Sequence, residues 1–178
     1  IDVASGTGPV ARAFMKILNS PDQIVCVEPS AGMIAESKKT VPAVHQQGTA
    51  EALPVGDEAF DFLTMGFAVR HVDDLDAAFR EFRRVLRDGG KLLIMDVTKP
   101  DSAMGRFWFR LYFKHLLPFL SLVSTGDRES HRLMKYYWDT MDQMIAPDDL
   151  TRLLTEAGFR NAERHVVLGC FSEYRAER

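Results

Sequence analysis

The sequence contains little cysteine, carries no excess of positive charge and has no long uninterrupted apolar run. Its only two cysteines, Cys26 and Cys170, lie in apolar stretches, and neither has a second cysteine at the spacing of a metal site. This excludes a disulfide scaffold and predicts reduced core residues, which suits a cytoplasmic protein. The apolar stretch 107–123 is interrupted by three basic residues and a proline, so it does not predict a membrane-spanning helix.

The net charge and the length restrict the class of protein further. A formal net charge of −3 provides no broad basic surface, which argues against a nucleic-acid partner. The 178 residues fit one domain with one substantial core, and no internal repeat divides them, so we treat 1–178 as a single domain. The chain opens on Ile1-Asp2-Val3. Three strand-like residues are fewer than the usual five or six, which predicts that the first strand begins before this sequence.

Strand and helix signals alternate along the first hundred residues. Short apolar runs predict buried parallel strands, and apolar residues at helical spacing behind capping residues predict helices. The predicted strands are 1–3, 24–27, 43–47, 60–67 and 91–97, followed late in the chain by 161–168 and 170–175. The predicted helices are 10–18, 31–39, one from Asp73 or Asp74 to Leu86 that Gly89-Gly90 ends, and 147–158. This order predicts a Rossmann-like α/β fold, a doubly wound and mostly parallel seven-stranded sheet with helices on both faces.

The alternation stops at Lys99 and resumes near Pro147. Residues 103–123 are rich in Phe, Leu and Trp, and residues 129–145 also have a helical pattern with aromatic side chains. We expect the segment 99–146 to form a helical lid before the last strands and to recognise a substrate.

The loop Asp2-Val3-Ala4-Ser5-Gly6-Thr7-Gly8 follows a strand and opens a helix. Glycine lets backbone N–H groups approach a ligand closely and lets the turn take positive φ. A nucleotide-like ligand would lie at this carboxyl edge of the sheet. Ala11 completes the pattern G-x-G-x-x-A of NAD enzymes, and Glu28, twenty residues after Gly8, can accept hydrogen bonds from ribose hydroxyls. Both features suit either NAD or another nucleoside cofactor.

Three further motifs separate these cofactors. Asp2, four residues before Gly6, makes the loop resemble motif I of class I methyltransferases. The segment 48–54, Gly-Thr-Ala-Glu-Ala-Leu-Pro, resembles their adenine-contacting segment, and 85–92 resembles their turn before strand five. No Tyr-x-x-x-Lys pair and no acid–histidine pair of dehydrogenase spacing is present. The resemblance therefore implies S-adenosyl-L-methionine as cofactor.

The cofactor site that this resemblance implies draws on four stretches of the chain. The residues expected to bind the cofactor are Asp2, Ala4, Gly6, Thr7, Gly8, Glu28, Pro29, Met33, Thr49, Ala50, Glu51, Gly66 and Phe67. Thr49 departs from the acid or asparagine that often holds the adenine amino group, so we expect the backbone to supply that contact.

Within this superfamily the chain most resembles the UbiE family, the C-methyltransferases of ubiquinone and menaquinone synthesis. Residues 66–72, Gly-Phe-Ala-Val-Arg-His-Val, resemble the family's F-G-L-R-N-V, and 96–100, Asp-Val-Thr-Lys-Pro, resemble its E-F-S-K-P. The resemblance implies methylation of a ring carbon on a lipophilic quinol. His71 replaces the family's asparagine, and 133–137 lack the family's Tyr-Leu-x-Glu-Ser, so a related phenol stays open as acceptor.

Carbon methylation needs an acceptor made electron-rich, most simply by removal of a proton from a neighbouring hydroxyl. His71, just after strand four, is the candidate base or hydrogen-bond acceptor. Its alternative interpretation is a surface or helix-capping histidine. Arg70 is the second catalytic candidate, because the resemblance places an arginine beside cofactor and substrate. A guanidinium near a sulfonium would be repelled unless an acid or a phenolate pairs with it.

Arg106, Arg110 and Lys114 are four residues apart and form one basic stripe on a predicted helix. The stripe suits either solvent exposure or a lid that touches an anionic bilayer through residues 106–122. The sequence leaves a homodimer open. Two other functions also remain open, an O- or N-methyltransferase of another metabolite and a catalytically silent subunit of methyltransferase fold.

Overall fold

The computed structural model describes residues 1–18, 20–125, 136, 138, 139 and 145–178. Within them the strands are β1 Asp2–Val3, β2 Val25–Glu28, β3 Val44–Gln47, β4 Phe60–Gly66, β5 Leu86–Val97, β6 Arg160–Val167 and β7 Phe171–Glu177. They form one seven-stranded sheet in the order β3-β2-β1-β4-β5-β7-β6. Strands β1 to β5 are parallel, whereas β7 runs antiparallel to both β5 and β6. The predicted mostly parallel, doubly wound α/β fold is confirmed.

The helices begin where the sequence offers caps. They are α1 Pro9–Met15, α2 Ala31–Ser37, α3 Leu75–Val85, α4 Ala103–Arg110, α5 Leu117–Thr125 and α6 Pro147–Glu156. A π-helical segment, Leu111–Leu116, joins α4 to α5. The Ser30 side chain accepts a hydrogen bond from the Met33 N–H, and the Asp74 side chain accepts one from the Ala77 N–H. Pro147 occupies the first turn of α6.

Helices cover both faces of the sheet. Neighbouring residues of a strand point to opposite faces, and Cys26 and Val27 of β2 belong to different cores. Cys26 packs with Ala11 and Phe14 of α1. Val27 belongs to the main core, which contains Phe79, Phe82 and Val85 of α3 together with Leu150 and Leu154 of α6. The carboxyl edge between these layers is left for a ligand.

The predicted end of the third helix is wrong. Helix α3 ends at Val85, and Leu86 is already extended, with φ −75° and ψ 142°, as the first residue of β5. Leu86 is fully buried and pairs with Phe60 of β4, so packing against the sheet ends the helix. Gly89, with φ +74°, lies within β5 where the pairing with β4 shifts register, and its N–H donates to the Arg178 carbonyl. It does not act as a helix cap.

Two predicted helices are also longer than the observed ones. Helix α1 stops at Met15, and Ile17, which the predicted apolar face included, is 75% exposed. Helix α2 stops at Ser37. Of the predicted helical segment 129–145, Tyr136, Trp138 and Asp139 are helical and Ile145 is not. The rest of it lies outside the described residues.

Candidate active site

The carboxyl ends of β1, β2 and β4 meet at one edge of the sheet. Strand β1 lies between β2 and β4, and the chain order reverses between β1 and β4. Parallel sheets bind ligands in the crevice at such a switch point. The predicted residues of the glycine loop, of the β2 end and of the β4 end are therefore gathered at this one edge.

The loop after β1 has the conformation that glycine permits. Gly6 and Gly8 have φ values of +56° and +80°. A Cβ on Gly8 would lie 2.6 Å from the side chains of Ser37 and Val41, so Gly8 lets α1 begin against α2. A Cβ on Gly6 would meet only the Met33 sulfur, at 3.9 Å. Gly6 therefore borders open space beside α2.

Glu28 is held by the glycine loop. Its Oε2 accepts a hydrogen bond from the Gly6 N–H at 2.9 Å, and its Oε1 accepts one from the Ser30 N–H at 3.1 Å. The residue is only 5% exposed. Both oxygens keep further lone pairs for a ligand's hydroxyl groups. The loop and this carboxylate thus form one rigid unit.

Two carboxyl groups, of Asp2 and Glu28, give this unit a negative character. Asp2 accepts a hydrogen bond from the Thr64 hydroxyl at 2.9 Å through Oδ1, whereas its buried Oδ2 has no hydrogen bond within the described part of the chain. Burial raises the pKa of Asp2 to about 6, and the Glu28 carboxylate contributes in the same direction. Two buried acids beside one loop favour a cationic ligand over the diphosphate of a dinucleotide.

The remaining predicted cofactor residues near β2 and β3 have different surroundings. Met33 is half-exposed next to Gly6, Thr49 is exposed, and Ala50 is packed into the main core. The Pro29 carbonyl accepts a hydrogen bond from the Gln47 side chain at 2.9 Å. Glu51 accepts a hydrogen bond from the Asp73 N–H at 3.1 Å, which fixes the turn before α3. Ala50 and Glu51 therefore have structural contacts of their own, and their cofactor contacts stay a prediction.

Around the loop, Ala4 and Thr7 complete the predicted set. Ala4 has a φ of +51°, which places a non-glycine residue in the left-handed region at the end of β1. Thr7 is exposed, and its carbonyl accepts a hydrogen bond from Arg12 at 3.0 Å. The strained Ala4 backbone carries the chain from the strand into the glycine turn.

The end of β4 is shaped by close packing. A Cβ on Gly66 would lie 2.7 Å from Val10 of α1, so only glycine fits there. Phe67 has a φ of +59° and is 42% exposed. Its ring lies edge-on to Phe171, with centroids 6.5 Å apart. The cofactor contacts predicted for Gly66 and Phe67 stay a prediction.

Arg70 forms a buried ion pair with Asp96, at the carboxyl end of β5. The distance from Arg70 Nη1 to Asp96 Oδ1 is 2.6 Å, and the two side chains are 4% and 0% exposed. Burial raises the pKa of Asp96, while the neighbouring Arg70 opposes that shift. The acid that a guanidinium near a sulfonium requires is thus present. Asp96 was missing from the predicted site, although its place in the segment 96–100 after strand five marked it.

His71 is an exposed neighbour of this pair. Its ring stacks on Tyr136, with centroids 6.2 Å apart and planes within 6° of parallel. Partial burial and the positive charge of Arg70 both lower the pKa of His71. At neutral pH the imidazole is therefore neutral and able to accept a proton or a hydrogen bond.

Comparison with known proteins agrees with this geometry. Residues 1–172 match the ubiE/COQ5 methyltransferase family. The chain belongs to that family. The ubiquinone/menaquinone biosynthesis C-methyltransferase UbiE of Cellvibrio japonicus is 29% identical over 95% of this chain and 70% of its own length. The enzyme of the same name from Pseudomonas paraeruginosa is 30% identical over 95% of this chain and 68% of its own length.

Solved structures show the same fold. An S-adenosylmethionine-dependent methyltransferase from Aquifex aeolicus superposes with a TM-score of 0.69 at 15% identity, over 99% of this chain and 79% of that one. Phosphoethanolamine N-methyltransferase 2 of Haemonchus contortus, solved with S-adenosyl-L-methionine, gives 0.68 at 13% identity, over 99% and 47%. The chain is an S-adenosylmethionine-dependent methyltransferase, as the motifs predicted.

The residues present suit that cofactor. S-adenosylmethionine carries a sulfonium and an ammonium, and the crevice offers the buried carboxylates of Asp2 and Glu28. Open space at the Gly6 Cβ position leaves room for a nucleoside beside Met33. When bound, the cofactor supplies an electrophilic methyl group.

Proposed function

We propose that this methyltransferase acts on a ring carbon of a lipophilic quinol or related phenol. The observation that carries the proposal is the buried Arg70–Asp96 pair, which lies at the carboxyl ends of β4 and β5. The named relatives in this family are C-methyltransferases of quinone biosynthesis. A phenolate is an anion, and an arginine held by one carboxylate can still donate hydrogen bonds to it.

The proposed roles combine the family resemblance with the positions of these residues at the carboxyl edge of the sheet. Asp2, Ala4, Gly6, Thr7, Gly8 and Glu28 with Pro29 and Met33 hold the nucleoside and the amino-acid part of the cofactor. Thr49, Ala50 and Glu51 border its adenine, and Gly66 and Phe67 lie beside the methyl group. Arg70 orients the acceptor's oxygen, and Asp96 positions Arg70. His71, neutral and next to Arg70, accepts the acceptor's hydroxyl proton.

A deuterated acceptor tests the reaction. The chain is incubated with S-adenosylmethionine and a short-chain quinol that carries deuterium at the free ring position. The mass of the product is then measured by mass spectrometry. We expect a methylated product that has lost the deuterium, because the new carbon–carbon bond replaces the ring C–D bond. A methylated product that retains deuterium identifies an O-methyltransferase. Cofactor binding without any product excludes the quinol as acceptor and leaves another metabolite or a silent subunit.

The helix α4 supports a finer proposal, a peripheral contact with an anionic bilayer through residues 106–122. Met104, Phe107, Trp108 and Leu111 are between 41% and 73% exposed, and the stripe of Arg106, Arg110 and Lys114 flanks them. Apolar and aromatic side chains next to cations are typical of helices that lie on membranes. Within the described residues, no helix has the length and apolar character needed to cross a membrane.

Vesicle sedimentation distinguishes this contact from a homodimer. Replacing Met104 and Leu111 together by Gln should lower binding to phosphatidylglycerol vesicles roughly tenfold, because apolar area is lost. Ile17→Gln, at an apolar residue that is 75% exposed elsewhere, should leave binding unchanged. If the double variant instead converts a dimer into a monomer in analytical ultracentrifugation, a second copy of the chain occupies this face.

A further inference from the structure

A groove of about 470 Å³ lies along α4, and none of its lining residues belongs to the glycine loop. Four cationic residues line it, Lys99, Arg106, Arg110 and Lys114. Phe109 and Trp138, each only 7% exposed, form its aromatic floor, with ring centroids 6.3 Å apart. The volume is that of a small-molecule site.

Arg110 and Lys114 carry the argument for an anion in this groove. Within the described residues, neither Arg110 nor Lys114 forms an ion pair, and no Asp or Glu lines the groove. Asp101 lies two residues after Lys99, and its Oδ1 is 3.4 Å from Nη1 of Arg164. Arg106 donates to the backbone carbonyls of Pro100 and Asp101, which fix its guanidinium at the wall. Concentrated positive charge in a chain of net charge −3 attracts an anion locally.

The aromatic floor adds to the specificity. The Lys114 ammonium lies 5.8 Å from the centroid of the Trp138 ring, so a cation–π contact holds it above the floor. An anion that reaches Arg110 and Lys114 would thus place its organic part against Phe109 and Trp138. A phosphate suits these donors best, since guanidinium groups bind its oxygens in pairs and it carries more charge than a carboxylate.

We infer that this groove binds a small organic phosphate, either the headgroup of a phospholipid or a soluble phosphate ester. The inference does not depend on the methyl acceptor proposed above, although the groove shares Phe107 and the three basic residues with the proposed membrane face. Lys99 follows Asp96 by three residues, so the groove adjoins the carboxyl end of β5, where the proposed acceptor lies.

Tryptophan fluorescence tests the groove directly. The chain has two tryptophans, and Trp108→Phe leaves Trp138 as the only reporter. This variant is titrated with inorganic pyrophosphate and with dihexanoylphosphatidylglycerol below its micelle concentration. Dihexanoylphosphatidylcholine, a zwitterion whose phosphate is neutralised by its own ammonium group, is the control. We expect a saturable change in Trp138 emission that weakens as salt is raised, since exposed charges are screened.

The two sources of phosphate give different results. A response to pyrophosphate as well as to the anionic lipid shows that the phosphate alone is recognised. A response to the lipid alone identifies a headgroup site, and a response to pyrophosphate alone identifies a site for soluble phosphates. An equal response to phosphatidylcholine, or no response to any of the three, overturns the inference.

A charge-matched pair of variants locates the site. In the Trp108→Phe background, Arg110→Gln should weaken binding at least tenfold, as expected when a charged hydrogen-bond donor is lost. Arg80→Gln removes the same charge from an exposed residue of α3 and should leave the affinity unchanged. Lys114→Gln gives an independent check. Equal affinities for the Arg110 and Arg80 variants would show that the ligand binds elsewhere.

Discussion

Arg70 and Asp96 face each other at 2.6 Å although they are 26 residues apart in the chain. Arg70 lies in a 3₁₀ turn after β4, and Asp96 lies near the end of β5, so the parallel pairing of the two strands brings them together. The Asp96 Oδ1 also accepts the Val97 N–H at 2.8 Å. The sheet therefore fixes the carboxylate, and the carboxylate fixes the guanidinium.

Breaking this pair should cost both stability and activity. Asp96→Asn leaves the Arg70 charge buried without an opposite charge, and we expect the free energy of unfolding to fall by about 3 kcal/mol. Urea unfolding measures that change. If Asp96 positions Arg70, kcat should fall more than KM rises, because the acceptor still binds but is misaligned.

A double variant separates structure from catalysis. Replacing Arg70 by Met and Asp96 by Leu removes both charges, and apolar replacements of a buried ion pair are often neutral or stabilising. We expect this variant to unfold at nearly the urea concentration of the parent while remaining inactive. A double variant that keeps normal turnover would exclude the pair from the reaction.

Glu28→Gln tests the grip on the cofactor. In the parent, the Gly6 and Ser30 N–H groups each donate to one oxygen of the Glu28 carboxylate. Glutamine has only one such oxygen, so its NH₂ group must face one of these two N–H groups. Calorimetry should show S-adenosylmethionine affinity reduced about tenfold or more, since charged hydrogen bonds are worth about 1.5–3 kcal/mol. Glu36→Gln, at an exposed acid of α2 paired with Lys39, is the control and should bind normally. Equal affinities in the two variants would mean that Glu28 does not contact the ribose.

Local patterns predicted much of this fold. Ser30, Asp74 and Pro147 each begin the helix that their chemistry indicated, because caps act within a few residues. Likewise, the glycine spacing and Glu28 indicated the loop that the structure shows, since turn and strand end are set by neighbouring residues.

The errors arose where distant packing decides. Leu86 continued a helical stripe by sequence, but burial against Phe60 makes it a strand residue. Asp96 was missed for the same reason, because its contact with Arg70 depends on the pairing of β4 with β5. The π-helical segment Leu111–Leu116 had no signal in the apolar pattern that we used.

Gly6 and Gly8 should respond differently to alanine. Gly8→Ala adds a Cβ 2.6 Å from Ser37 and Val41, so overpacking of about 1–3 kcal/mol adds to backbone strain, and thermal unfolding should show a large loss. Gly6→Ala has room for its Cβ and should lose only the strain, about 1–2 kcal/mol, yet bind the cofactor weakly. Gly89→Ala, with φ +74° and nothing within 4 Å of its Cβ, measures strain alone. If Gly6→Ala binds as well as Gly89→Ala, the cofactor does not pass Gly6.

His71 should set the acidic limb of the pH–rate profile. Partial burial and Arg70 lower its pKa from the usual 6.5, so the neutral imidazole needed for proton acceptance persists to more acidic pH. We expect kcat/KM to fall only below pH 6.5, and this limb to disappear in His71→Asn, because asparagine does not titrate. His165→Asn, at an exposed histidine of β6, should keep the parent's profile. An unchanged profile in His71→Asn would show that another group takes the proton.

Asp2 should make the stability depend on pH in mildly acidic solution. Its pKa in the folded chain is about 6, above the value of about 3.9 for an unfolded aspartate. Between these two values the folded chain holds the proton more tightly, so this contribution to stability is complete below about pH 4 and is lost as the pH rises through 6. A pKa difference of about two units corresponds to roughly 3 kcal/mol of stability.

The variant Asp2→Asn cannot ionise at this position. Its free energy of unfolding should therefore rise relative to the parent by about that amount between pH 4 and pH 7. Asp22→Asn, at an exposed acid, should show no such trend. A constant difference between Asp2→Asn and the parent would mean that the Asp2 carboxyl is not buried as an ionisable group, and the negative character of the crevice would then have to come from Glu28 alone.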